Sequence, residues 1–112
     1  LAAILIGAVG GIIVVYGTKF LLAMKIDDVV GAIPAHLFAG IWGTLAVPIT
    51  NSGASFGTQL LGVVSINAFV FIVSFIVWFL MKSTFGIRLS KEGETKGTDV
   101  TETGVIAYAI RD

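Results

Sequence analysis

Cysteine is absent from the sequence, histidine occurs once, proline twice, and no charged residue stands between Val29 and Met81. Without cysteine there is no disulfide, no thiolate metal site and no cysteine nucleophile, and the redox compartment is unreadable. A single histidine, with no carboxylate at helical ligand spacing, gives no metal set. No serine carries a nucleophile motif, and the glycines of "GAVGG" lack the strand–helix context and the lysine of a phosphate-binding loop. The spans hold no acid–base pair, so nothing points to an enzyme or to a cofactor. Formal net charge is zero, and no basic stripe marks a nucleic-acid partner.

Charged residues make up only 12% of the chain, against roughly 25% in ordinary globular proteins. Apolar residues make up 56%, and the mean hydropathy is +1.00. A soluble domain of this composition could not cover its own surface, so the bilayer is its natural solvent. The chain opens on Leu1, already apolar, without the Met and basic region of a signal peptide. It reads as a cut through a longer protein, by processing or by an incomplete reading frame.

Three apolar segments are each long enough for a hydrocarbon core of about 30 Å. They run over about 1–24, 28–49 and 56–81, and a polar tail follows over 86–112. The fold class is therefore an all-α polytopic membrane protein with three transmembrane helices and a tail. Lys19 and Lys25 flank the first connection, and Lys82, Arg88, Lys91 and Lys96 follow the third span. The second connection, "PITNSGASFG", has neither Lys nor Arg. The positive-inside rule then puts the first connection and the tail in the cytoplasm, and Leu1 outside. In the first span Ala3, Gly7 and Gly11 form a small-residue ridge that suits close helix packing.

The tail, "TFGIRLSKEGETKGTDVTETGVIAYAIRD", is polar and punctuated by glycine. It reads either as a solvated, partly disordered terminus or as a segment docked on protein through Val105, Ile106, Ala107, Tyr108 and Ile110. Asp99 or Thr98 can cap a short helix ahead of Gly104.

The lone histidine, His36, lies in the second span. That helix can start at Asp28, as N-cap with Asp27 beside it near the positive helix end, or at Pro34 itself. At helical spacing His36, Ala39, Gly40 and Gly43 share a face, with Ala32 one turn earlier. A small-residue face looks at protein or a lumen rather than at lipid. Ionisable residues inside spans are costly and mark function. Burial there disfavours imidazolium, and a neutral imidazole offers one donor and one acceptor. Such a ring can hold or pass a proton, or bond a small polar solute. The alternative is a ring that locks two helices together in a self-sufficient three-span assembly or signalling subunit.

"KIDDVVGAIPAHLFAGIWGTLAV" resembles a segment of the ammonium transporter/Rhesus superfamily, in which an Asp pair precedes a span with the second of two pore histidines. The tail, "FGIRLSKEGETKGTDVTETGVIAYA", is similar to that family's cytoplasmic end: Gly-x-Arg, acidic residues, Gly-x-Asp, then a Gly before Ala-Tyr. The resemblance covers nearly the whole chain. It implies that the spans are the ninth, tenth and eleventh helices of an eleven-helix subunit of a homotrimer in the plasma or inner membrane. It implies that His36 matches the pore histidine that relays protons or conducts substrate, that Asp28 caps its helix, and that Ala32 and Ile33 line the pore. It gives Arg88, Gly97, Asp99 and Tyr108 to a regulatory tail. The substrate implied is ammonium or ammonia, and a PII-type nitrogen-signalling protein is the implied soluble partner. Leu37 replaces a common Gly, and Thr103 and Val105 replace a His and a Glu of the family pattern.

Overall fold

The computed structural model describes residues 1–107, so the expectations for Tyr108 and Ile110 lie outside the described residues. Every element is helical among the described residues, and three helices are long and apolar enough to cross a membrane: Ala2–Ala23, Ile33–Thr50 and Phe56–Thr84. We call the first α1. The second combines a π-helical segment, Ile33–Phe38, with an α-helix, α2 (Ala39–Thr50); the third is α3. The chain divides into two compact units, Leu1–Phe69 and the residues from Val70 onward.

In the first unit α1 stops in a Schellman turn. The Ile26 N–H donates to the Leu21 carbonyl at 2.9 Å and the Lys25 N–H to the Leu22 carbonyl at 3.0 Å. Lys25 takes the left-handed conformation usual for glycine there, with φ 58°. Its cation lies at the negative helix end, which favours it.

The second span starts later than the predicted position 28. Val29 and Val30 form a turn, Gly31 has φ 69°, and helix begins at Ala32. Pro34 falls in the first turn, where a missing N–H costs nothing. The start at Asp28 does not hold, because its side chain reaches across the turn to the helix instead of standing next to it, whereas the Pro34 start lies one residue inside the observed element. At the far end, Pro48 withholds a donor inside α2, which ends at Thr50. The Asn51 side chain then accepts the Gly53 N–H at 3.0 Å, forming the predicted loop.

The segment from Ile33 to Thr50 packs against α1. Pro34, Leu21, Ala46 and Gly17 are buried in this seam. The Trp42 indole donates to the Ile6 carbonyl at 3.0 Å, satisfying its N–H within the apolar layer. The expected ridge of Ala3, Gly7 and Gly11 is not this seam: a Cβ at Gly7 or Gly11 meets nothing within 4 Å. Gly10 and Gly17, two turns apart, face α2 and the π segment instead. Adjacent residues differ by about 100° around a helix, so the row of Ala3, Gly7 and Gly11 points away from the seam that Gly10 and Gly17 mark. The part of α3 in this unit makes no packed contact with α1 or α2 among the described residues.

In the second unit the remainder of α3 stacks Phe71, Phe75 and Phe79 along one exposed face. Helix α4 (Lys91–Lys96) is capped by Ser90, whose hydroxyl accepts the Gly93 N–H at 3.1 Å. A second π segment, Asp99–Thr103, packs on α4, and Gly104 closes it in the left-handed conformation. Gly93 is buried where Thr101 Oγ1 donates to its carbonyl at 3.2 Å. The tail up to Ala107 therefore has its own folded structure. Neither expected cap forms: Thr98 makes no side-chain cap bond, and the Asp99 carboxylate accepts the Ala107 N–H at 2.7 Å.

That bond, helped by the Val100 N–H, holds the Asp99 carboxyl below its ordinary range, and the Arg88 fork does the same for Glu94. Lowered carboxyl values stabilise the folded tail above the unfolded range and lose that effect as pH falls through the lowered value. The Ala107 amide signal should therefore titrate with a midpoint below the ordinary Asp value of about 3.9, and the titration should vanish in Asp99→Asn. A midpoint at or above that value in an NMR titration would refute the bond.

Candidate functional site

The site is built on the start of the second span. The first N–H groups of a helix have no partner within it, and a membrane interior offers none. Here the Asp28 carboxylate supplies both acceptors: Oδ1 takes the Ala32 N–H at 2.9 Å and Oδ2 the Ile33 N–H at 2.7 Å. Asp28 thus serves these N–H groups from four and five residues away, while Ala32 holds the N-cap position itself. Ala32 and Ile33 present their amides to this carboxylate.

His36 stands in the turn that follows. The helix closes here through i+5 bonds, as in the Ala39 N–H to Pro34 carbonyl. The wider turn changes which residues share its face. His36 is exposed in the isolated unit and lines a cleft of about 330 Å³. Leu37, Gly40, Ile41 and Thr44 continue that wall, while Ala39 and Gly43 do not line it. The predicted small-residue face is therefore kept only at Gly40, because a period of 3.6 does not hold through a π turn. Leu37, the departure from the family pattern, adds an apolar side chain next to the imidazole.

The opposite wall is α3, through Gln59, Gly62, Val63, Ile66 and Asn67. These positions follow helical spacing and bring two amides to a mostly apolar cleft. The Asn67 Nδ2 donates to the Val63 carbonyl at 2.8 Å, and its side-chain oxygen makes no hydrogen bond among the described residues. Thr44 turns its hydroxyl proton to the Gly40 carbonyl at 2.9 Å, leaving lone pairs free. His36 makes no hydrogen bond among the described residues. The cleft thus offers a titratable ring, two amide groups and a hydroxyl among aliphatic side chains. Such a lining can bond a small neutral polar solute but cannot rehydrate a bare cation.

Sequence reasoning named His36 but missed Thr44, Gln59 and Asn67. The signal was available: two lone amides eight residues apart in a charge-free span fall on one helix face, and polar groups within spans point inward. Arg88, Gly97 and Asp99 lie in the second unit. Arg88 pairs with Glu94, Gly97 takes φ 99°, and Asp99 bonds Ala107.

Three membrane-length helices, with a mostly apolar cleft lined by the second and the third, define a multi-span membrane protein. The comparisons with known proteins narrow this. Residues 1–108 match the Ammonium Transporter Family, and the chain belongs to that family. Ammonium transporter Amt2 of Archaeoglobus fulgidus is 32% identical over 96% of this chain and 27% of its own length. Ammonium transporter Amt1 of Haloferax mediterranei is 36% identical over 94% of this chain and 21% of its own. A Synechocystis sp. relative reaches 40% identity over 92% of this chain and 24% of its own. The chain thus spans about a quarter of the length of these relatives.

Removal of the Asp28 carboxylate leaves two N–H groups without acceptors. Asp28→Ala should cost about 1–2 kcal/mol, and Asp28→Asn, with one acceptor oxygen, should recover part of it. Thermal unfolding in detergent checks this, and an unchanged midpoint for Asp28→Ala would show the cap to be dispensable.

Proposed function

We propose that this chain forms part of a conduit for ammonium or ammonia across a cell membrane, with His36 facing the path. The observation that carries this reading is an imidazole without a hydrogen-bond partner among the described residues, lining a mostly apolar cleft. Membership of the Ammonium Transporter Family, and relatives named for ammonium transport, support the substrate.

The physics is a selection by desolvation. Moving a bare monovalent cation into a low-dielectric passage costs tens of kcal/mol in the Born limit, whereas ammonia gives up only hydrogen bonds. Ammonium can release a proton and potassium cannot. A neutral imidazole gives ammonia one acceptor and one donor, and it can also take up the released proton. Ala32 and Ile33, just before the histidine, would line the cytoplasmic end of the path, with Asp28 holding that end in helical form.

The same reading makes the three spans the last three of an eleven-helix subunit in a homotrimer. Lysines and arginines around the first connection and after α3 favour a cytoplasmic tail. The tail, through Arg88, Gly97, Asp99 and Tyr108, would regulate transport, and a PII-type signalling protein would meet the cytoplasmic mouth.

In the complete transporter, His36→Ala should remove most methylammonium uptake at unchanged membrane abundance. Wild-type uptake at equal abundance would exclude the conduit role. Truncation before Arg88 should lower or deregulate uptake several-fold; an indifferent truncation would leave the tail without a part in transport.

A further inference from the structure

The seam between α1 and the π segment is tightest at Gly17. A Cβ placed there would lie 2.7 Å from Phe38 Cδ2, 3.2 Å from Phe38 Cε2 and 3.2 Å from Pro34 Cβ. Real Cβ atoms essentially never approach other atoms below 3.0 Å, so any larger residue forces something to move. Pro34 is fully buried and its ring is rigid, so it has little room to yield. Phe38 and the backbone that carries it must give way instead.

This contact bears on the histidine because of its place in the segment. In a helix closing through i+5 bonds, Pro34 and Phe38, four residues apart, return to nearly the same side. His36, midway between them, stands opposite. Burial agrees: Pro34 is hidden against α1, while His36 is exposed and lines the cleft. Whatever sets the depth of Pro34 and Phe38 against α1 therefore sets where the imidazole stands on the other side. Gly10, on the same seam, differs: a Cβ there meets Trp42 Cδ1 at an ordinary 3.8 Å.

We propose that Gly17 is a positioning residue for His36. The absence of a side chain at this one position seats the π segment against α1 and fixes the imidazole in the cleft. The proposal rests on the conduit reading above. Gly17 itself touches no substrate.

The test compares Gly17→Ala, Gly10→Ala, His36→Ala and the double variant Gly17→Ala/Phe38→Ala in the complete transporter. Initial rates of methylammonium uptake are measured across concentrations and normalised to the amount of assembled protein in the membrane. Misplacement of a reacting group by about 1 Å can cost roughly 100-fold. Gly17→Ala should accordingly lower the maximal rate by about 10- to 100-fold with little change in half-saturating concentration. Phe38→Ala, which removes the clashing ring atoms, should restore most of that rate in the double variant, and Gly10→Ala should behave as wild type. A wild-type rate for Gly17→Ala beside an impaired His36→Ala overturns the positioning role and leaves the conduit reading intact. A wild-type rate for His36→Ala overturns both. Should Gly17→Ala fail to accumulate, the double variant decides: recovered protein with a recovered rate supports the proposal, and recovered protein with a low rate overturns it.

Discussion

One carboxylate holds the site together. The first amides of a helix have no partner within it, and the second span begins where Asp28 takes two of them. Because the acceptor is a side chain reaching over a turn, the helix can start at Ala32 with Pro34 already in its first turn. The turn that follows closes wide, and that turn carries His36. Without the cap, the frayed end would include the residues that set the ring.

The seam with α1 completes the arrangement from behind. Gly17, a buried proline and the Trp42–Ile6 bond let α1 and the second span approach closely, with no buried side-chain polar atom unpaired among the described residues. Van der Waals contact replaces the hydrophobic effect as the source of helix association in lipid, which makes closeness of fit the main currency of specificity there. The cleft side is built on the opposite rule: few contacts, scattered polar atoms and an aliphatic lining.

Much of this was legible beforehand, and the failures have physical causes. The spans could be read because apolar runs and an empty charge record are hard to disguise. Asp28 could be read as a cap because an acid before a proline suits a helix start. The boundary was misplaced because cap rules assume contact with the second or third residue, whereas Asp28 bonds the fourth and fifth. The face shared by His36 fails at Ala39 and Gly43, though not at Gly40, because periodicity arguments carry 3.6 residues per turn through a segment that does not keep it. The glycine ridge was chosen on spacing alone, and spacing says nothing of which way a ridge points. Gln59 and Asn67 escape notice because two isolated amides barely alter the hydropathy of a long apolar span. In the tail, the link from Asp99 to Ala107 joins residues eight apart, outside the range of local capping rules.

The length of α3 has its own consequence. Its 29 residues extend about 44 Å at 1.5 Å per residue, well beyond a hydrocarbon layer of about 30 Å. The apolar stretch from Leu60 to Met81 alone spans about 33 Å, so the rod fits only by leaning or by thickening the lipid around it. A thinner bilayer therefore increases the slant of the helix that carries Gln59 and Asn67, and membrane thickness becomes one of the variables that shape the cleft wall.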